Sequence, residues 1–599
     1  MAREGRHPPA FWFRVMFGLG LLCSLPALAA GFYADDYLQL AKLESAGPAP
    51  ARLTSLFAFA PGGAATRDLV AAGAAPWWTT PTLKIQFFRP LSAALMVVDH
   101  ALFGLRPLGY HVHSLVWWLL WLGGTALLFR RLLSPGLAAL AFALFAIDDA
   151  HWLPIAWIAA RNATVAMTLV VWGLVAYLRF REDDWLPGAW LAFAAWALAL
   201  LAGEVALSGL MYVVAYELLR ERPPRFGSSP LRLRARLPVV GLGLLLAGYA
   251  ALYRFTGSGV RGSGAYVDPI HDFPAFIGAA ARRLPAQLGG LVFGSPLDLW
   301  LLTPLQPVFV AVGLLAVVVA VPWFVAATRV LPAPDRNAAR WLALGSALSL
   351  IPTSAGLLGE RSLAAATVGA AAALSILLRH GWQTIRQGPR LRRVALAAGM
   401  IAVGLPNVVL AGPWLVTKLI FLRANAAAME HLAATADRAS PPPARTVLLW
   451  SDDFLIGTYT AAVARFARPE ALPSFRVLAM APVDLRMTRV APDELELSCV
   501  SGSLLGSEWE HLFRADELPL PAGTTLPLNG VTVRVVEDVG GKPSRVRFRF
   551  DVQLEDPSLR FLEWRGRRLV PAELPGPGET RPVFRSLPML ATPPDAIDY

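Results

Sequence analysis

The stretch FWFRVMFGLGLLCSLPALAAGFYADDYLQL, residues 11–40, sets an apolar run directly against two adjacent carboxylates, Asp35 and Asp36. A span of the bilayer needs about 20 mostly apolar residues, and residues 11–30 meet that length. A carboxylate inside the hydrocarbon layer is costly unless it is paired or hydrated. The reading of the run therefore decides where the two acids lie. A basic start, an apolar middle and ALAAG at the end also match a signal peptide. The run is long enough to cross, and in either case Asp35 and Asp36 emerge on the outer side.

The rest of the chain supports a membrane reading. Of 599 residues, 55% are hydrophobic and only 16% charged, with twenty tryptophans, and the mean hydropathy is +0.50. A soluble chain of this length carries nearer a quarter charged residues, so a polytopic membrane protein is expected. Candidate spans lie near 11–30, 112–130, 135–150, 162–178, 187–203, 205–219, 237–254, 305–328, 341–357, 363–379 and 394–421, which gives about eleven helices. The two cysteines, Cys23 and Cys499, support neither a disulfide framework nor a cysteine metal site. The net charge of +12 comes from short clusters between apolar runs, so membrane topology explains it and no nucleic-acid partner is expected.

The basic clusters sort the connections. Arg3, Arg6 and Arg14, Arg130 and Arg131, Arg179 and Arg181, the stretch from RERPPRF to RLRAR, Arg329, Arg336 and Arg340, and Arg386, Arg390, Arg392 and Arg393 fall on alternate turns. The positive-inside rule makes these cytoplasmic, with the amino terminus inside and the carboxyl terminus outside. The opposite turns then hold most of the other ionisable residues. The loop WWTTPTLKIQFFRPLSAALMVVDHALFGLRPLGYHVH (77–113) carries Lys84, Arg89, Asp99, His100, His111 and His113. It reads as an interfacial amphipathic helix anchored by Trp77, Trp78, Phe87 and Phe88. Later turns give Asp148, Asp149, His151 and Arg161, then Glu204, then Glu360 and Arg361. Several charged turns on one face predict a single wet cavity.

Each residue has a plainer reading. Asp35 and Asp36 can cap the next helix, His111 and His113 form no tight ligand pattern, and Glu360 beside Arg361 can be a structural ion pair. The functional reading rests on the set. No G-x-x-x-x-G-K-[ST], G-x-G-x-x-G or H-E-x-x-H motif is present, which argues against an ATP-driven pump or a zinc protease. The RNAT sequon at Asn162 lies at the mouth of a span and is discounted. A carboxylate at the membrane edge can take the proton of an acceptor hydroxyl. Arginines at the same depth can hold a lipid phosphate by charge-assisted bonds.

The acidic pair after the first span, FFRPLSAALMVVDHALFGLRPLGYHVHSL, AHWLPIAWIAARNATVAMTL and GERSLAAA resemble the polytopic GT-C glycosyltransferases. The resemblance runs over about residues 10–425. It points to protein O-mannosyltransferase and aminoarabinose-transferase relatives and to small bacterial relatives of the TMTC mannosyltransferases. It implies inverting transfer of a hexose or pentose from a polyprenyl-phosphate donor to a glycan, lipid or protein acceptor on the non-cytoplasmic side. Asp35 would be the base and Asp36 the second acid. Arg89 and Arg361 would contact phosphate or sugar, with His111, Asp148, Asp149, His151, Arg161, Glu204 and Glu360 also on the substrate side. No metal ligands are assigned, and a divalent metal ion is the one cofactor left open. The chain departs from the pattern at ARNA, where relatives read GR plus an acid, at Gly203-Glu204 in place of Lys-Glu, and at Ser362 in place of Tyr.

The expected organisation is a transmembrane domain over 1–424, with a long first outer loop at 31–111. A helix and proline linker follow at 425–445, and an extracytoplasmic β-rich domain over 446–599. RVRFRFDVQLE (545–555) alternates as a half-buried strand does, and GVTVRVVEDVGGKPS supplies a preceding strand and a Gly-Gly turn. Asp452 and Asp453 read as a strand-end turn. The composition suggests a Gram-negative inner membrane. An anionic-lipid or glycolipid transporter would gather similar charges, though no repeated halves are visible. A non-catalytic membrane scaffold is the third reading.

Overall fold

The structure is a computed structural model and describes residues 9–44, 53–220, 229–387, 389–435, 445–451, 453–467, 474–565 and 568–583. Arg3, Arg6, residues 221–226 of RERPPRF, the side chains of RLRAR, the prolines at 441–443 and Asp452 lie outside the described residues.

The chain opens with α1 (Pro9–Ser24), a 3-10 turn at Leu25–Ala29, and α2 (Asp35–Glu44). Next come β1 (Ala58–Pro61), α3 (Gly63–Ala71), β2 (Lys84–Gln86), α4 (Pro90–Phe103) and α5 (Pro107–Leu132). α6 (Pro135–Ala146) breaks before α7 (Trp152–Ala156), and α8 (Arg161–Glu182), α9 (Pro187–Ala202), α10 (Val205–Leu219) and α11 (Ser229–Phe255) follow. Proline opens α4, α5, α6 and α9. At that position its missing N–H costs nothing and its fixed φ suits the helix. The helical part closes with β3 (Gly259–Arg261), α12 (Phe273–Phe293), α13 (Gln306–Arg329), α14 (Ala333–Thr353), α15 (Thr367–Thr384), α16 (Arg390–Gly404), a π-helical segment at Leu405–Leu410, and α17 (Ala411–Thr435).

Six helices among the described residues are long and apolar enough to cross a membrane, seven if the pair bent by 44° after Ala146 counts as one span. Each of the eleven expected stretches carries helix, but eleven crossings are not confirmed. α9 and α10 have 16 and 15 residues, which at 1.5 Å per residue falls short of a hydrocarbon layer of about 30 Å. α12 was not expected, because Arg282 and Arg283 interrupt its apolar pattern. Arg283 is buried and donates to the carbonyls of Ser354 (2.9 Å), Gly356 (3.0 Å) and Ala265 (3.1 Å). α12 crosses α13 at Gly313, where a Cβ would lie 1.7 Å from the Pro285 carbonyl oxygen.

The bundle core is aromatic, with Trp118, Trp121 and Trp196 fully buried. At its basic end Arg131 pairs with Glu182 (2.9 Å) and Asp183 (2.7 Å), and Arg181 pairs with Glu217 (2.6 Å).

The region beyond α17 is β-rich. It contains β4 (Arg445–Leu448), α18 (Phe454–Ala467), β5 (Phe475–Val477), β6 (Leu485–Ala491), β7 (Glu494–Cys499), α19 (Glu508–His511), β8 (Thr525–Leu528), β9 (Val531–Val539), β10 (Lys542–Phe550), β11 (Leu559–Arg565), β12 (Arg568–Pro571) and β13 (Thr580–Val583). One sheet runs β13-β6-β7-β10-β9-β8 and a second β12-β11-β4-β5, with β4 parallel to both of its neighbours. Val546, Phe548 and Phe550 of β10 are buried, as the period of two requires. The Gly540-Gly541 turn has positive φ at both residues. The strand ends at Phe550, so Val552 and Leu554 lie beyond it.

The segment of the first long loop around Trp77 and Trp78 docks on this region. Trp77 and Trp78 are 1% exposed. The Trp77 indole donates to the Leu478 carbonyl (2.8 Å), and Arg514 donates to the Trp78 carbonyl (2.6 Å). Arg476 donates to the carbonyls of Val70 and Ala71. The tryptophans face the core of the β-rich region because folding brings two sequence-distant apolar surfaces together there.

Candidate active site

Backbone strain marks the entry to the site. Ala34 has φ +48°, a left-handed conformation that a non-glycine residue adopts at a cost and that concentrates at functional sites. The chain then enters α2, whose first turn presents Asp35 and Asp36 where the helix dipole favours negative charge.

The adjacent acids have different surroundings. Asp36 is fully buried and accepts the backbone N–H groups of Tyr33 (2.9 Å) and Ala159 (2.8 Å). Oδ1 ties α2 to the 3-10 turn at Ile158–Ala160 and Oδ2 caps the start of α2, so each oxygen of Asp36 already accepts a backbone N–H. Asp35 is half-buried. Its Oδ1 accepts the Tyr459 hydroxyl at 2.6 Å, and Oδ2 has no hydrogen-bond partner among the described residues. Burial raises its pKa above the ordinary carboxylate value, against the Tyr459 bond and the charges of Arg361, Lys42 and Arg89.

Arg361 comes from the 3-10 turn Glu360–Leu363. Its guanidinium lies 5.5 Å from the Trp157 ring centre and meets the Tyr266 hydroxyl at 3.4 Å. No carboxylate is bonded to it among the described residues. Glu360 turns the other way and pairs with Lys418, which also holds Asp149. Asp298 accepts the Glu360 backbone N–H at 2.9 Å and the Trp152 indole N–H at 3.3 Å. Beside Asp149 lies a cavity of about 310 Å³ whose walls include Phe293, Leu405, Pro406 and Trp414.

The other expected residues have partners of their own, Arg89 among them although its charge reaches Asp35. Arg89 is paired with Glu204 at 2.7 Å and stacked over Phe87, its guanidinium 4.3 Å from the ring centre. Asp148 caps a turn through the Ala150 N–H (2.9 Å). His151 is buried among Trp118, Trp121 and Phe145, with Thr367 3.0 Å from Nε2. His111 is buried within α5. Arg161 is paired with the buried Asp99, which also meets His113 Nδ1 at 2.6 Å. His111, His151 and Arg161 are each buried.

Tyr459, Tyr266, Asp298 and Lys418 escaped the sequence reading. Lys418 had a signal, a lone ammonium in a long apolar run, which is a functional candidate by default. Tyr459 had none. Among the described residues no three His, Cys, Asp or Glu side chains converge as metal ligands. The acids nearest that role, Asp149 and Glu360, are bridged by Lys418. This donor set does not fit a divalent ion.

No family model matches the chain, and no curated protein matches it. Its structure is similar to the oligosaccharyltransferase of Archaeoglobus fulgidus in a crystal structure tethered with an acceptor peptide, at 13% identity and TM-score 0.39, over 79% of this chain and 64% of that one. It is also similar to ArnT from Cupriavidus metallidurans bound to undecaprenyl phosphate, at 17% identity and TM-score 0.34, over 77% of this chain and 85% of that one. Both neighbours are GT-C membrane glycosyltransferases. The chain spans less than two thirds of the archaeal protein's length.

Proposed function

We propose that this protein is an integral membrane glycosyltransferase that moves one sugar from a polyprenyl-phosphate donor to an acceptor hydroxyl on the non-cytoplasmic face. The observation that carries the reading is the nearness of a carboxylate with an oxygen, Asp35 Oδ2, that has no hydrogen-bond partner among the described residues to a guanidinium, Arg361, that among them is bonded to no carboxylate. Their charges interact where the helical and β-rich regions meet.

In the proposed step the acceptor oxygen attacks the anomeric carbon as its proton passes to Asp35 Oδ2. The bond from that carbon to the phosphate oxygen breaks on the opposite face, with inversion. The lipid phosphate leaves with the electron pair and needs no acid, being a stable anion. Arg361 would bind the phosphate, because a guanidinium matches its oxygens bidentately. The apolar cavity beside Asp149 has the volume of a small ligand pocket and suits part of the prenyl chain. Basic turns at the far end of the bundle favour a cytoplasmic amino terminus and an outward, periplasmic β-rich region in a bacterial inner membrane.

The experiment is sugar transfer by purified protein in liposomes. Radiolabelled polyprenyl-phosphate mannose and aminoarabinose are offered with a cell-envelope acceptor extract, and wild type is compared with Asp35→Asn. Transfer by wild type that collapses in the variant is the expected result. Equal transfer by both, or none from any donor despite lipid-phosphate binding, refutes the reading.

A further inference from the structure

The Tyr459 hydroxyl reaches Asp35 at 2.6 Å across 424 residues of sequence. Its ring is buried and packs edge-on against Phe454, with centres 5.8 Å apart. The start of α18 is capped by Asp453, which accepts the Leu455 N–H at 2.8 Å. The far end is placed by Phe466, whose ring centre lies 5.4 Å from that of Tyr37 in α2. The Phe466–Tyr37 contact joins α18 to the helix that carries Asp35 and so brings the Tyr459 hydroxyl to it. Among the described residues no other group donates a hydrogen bond to that carboxylate.

We propose that Tyr459 is a positioning residue for the transfer base, fixing Oδ1 of Asp35 so that Oδ2 faces the acceptor and making the β-rich region part of the active site. The proposal rests on Asp35 acting as the base. A phenol hydrogen bond to a carboxylate favours the charged form, so Tyr459 also keeps Asp35 ready to accept a proton. The other groups facing Asp35 are Asp36 beside it, Lys42 on the same helix, Arg89, Arg361 and Tyr33. Tyr266 faces Tyr459. All of them remain when Tyr459 becomes phenylalanine, so the variant isolates one hydroxyl.

The first test needs no substrate. Full-length protein in phospholipid nanodiscs is treated with a carbodiimide and an amine, which modify the protonated carboxyl, over a pH series. Site-resolved mass spectrometry then gives the midpoint for Asp35. Tyr459→Phe should raise that midpoint by about one pH unit, the size expected for loss of a hydrogen bond to a charged group, and leave the exposed Glu573 unchanged. An unmoved Asp35 midpoint overturns the proposal. In the transfer assay Tyr459→Phe should lower kcat about tenfold, leave the KM for the lipid donor unchanged, and shift the acidic limb upward. Tyr459→Gln, whose amide can donate to the same oxygen, should recover part of both effects and serves if the phenylalanine variant does not fold. Wild-type kcat and pH profile in Tyr459→Phe overturn the proposal. Undiminished transfer by Asp35→Asn would instead remove the underlying reading, and the labelling midpoints would still judge the Tyr459 contact.

Discussion

Two buried acid–base groupings in this molecule use similar residues in opposite ways. In one, Asp99 is closed between Arg161 and His113, and the Trp117 indole donates to His113 Nε2 at 2.9 Å. In the other, among the described residues, Asp35 has one donor, Tyr459, and Arg361 makes one long hydrogen bond, to Tyr266. The first is ion-paired on both sides of the carboxylate and joins α4, α5 and α8 into one unit. The second keeps hydrogen-bonding capacity in reserve. Ion pairing distinguishes the two: a carboxylate held between two cationic partners is closed to a ligand, whereas a carboxylate and a guanidinium without ion-pair partners keep lone pairs and N–H groups that can receive a substrate.

The contrast can be broken by experiment. The largest effect is expected at the second centre, where Asp35→Asn should lower transfer about 1,000-fold, within the range for loss of a general base. Its thermal midpoint should match wild type, measured in detergent alongside activity. At the ion-paired centre, Arg161→Ala should cost about 3–5 kcal/mol by removing the guanidinium from the buried Asp99 and leaving it only His113. Chemical denaturation would read this loss. Activity per folded molecule should change little, and a selective loss of activity with unchanged stability would reverse the assignment.

Smaller effects sharpen the picture. Asp36→Ala strands the N–H groups of Tyr33 and Ala159 and should cost about 1–3 kcal/mol for each that stays dry. Arg361→Lys keeps the charge but loses the planar fork, so the KM for the lipid donor should rise about tenfold while the fold persists. The pH profile gives the smallest effect. Asp35 must be ionised to accept a proton, and burial raises its pKa. Transfer should therefore rise with pH through a value above the ordinary carboxylate range, with the protonated, inactive form dominating below it. An acidic limb at or below pH 3.8, measured over pH 3–8, would contradict that environment.

Much of the bundle was legible because apolar length and helix-start prolines are local signals. α12 was not, since Arg283 finds its three carbonyl partners only after folding. Within the site, Asp35 and Arg361 were legible as charges at the ends of apolar stretches. Asp36 looked equivalent to Asp35 in sequence, and the two N–H groups that distinguish it come partly from a turn more than a hundred residues away. The aromatic pair Trp77-Trp78 signalled an interface correctly in kind but not in partner, because an amphipathic ring suits a membrane edge and a protein core alike.

By itself the sequence determined that the chain is apolar enough to enter a membrane, that its carboxyl-terminal part alternates as strands do, and that an acid pair follows the first apolar run. These properties depend on neighbours within a few residues and on transfer free energies that add along the chain. Only the tertiary structure decided which acid keeps a free oxygen, that Lys418 joins Asp149 to Glu360, and that a tyrosine from the β-rich region meets Asp35. Those outcomes turn on distances of a few ångströms between residues tens to hundreds of positions apart, which packing alone sets.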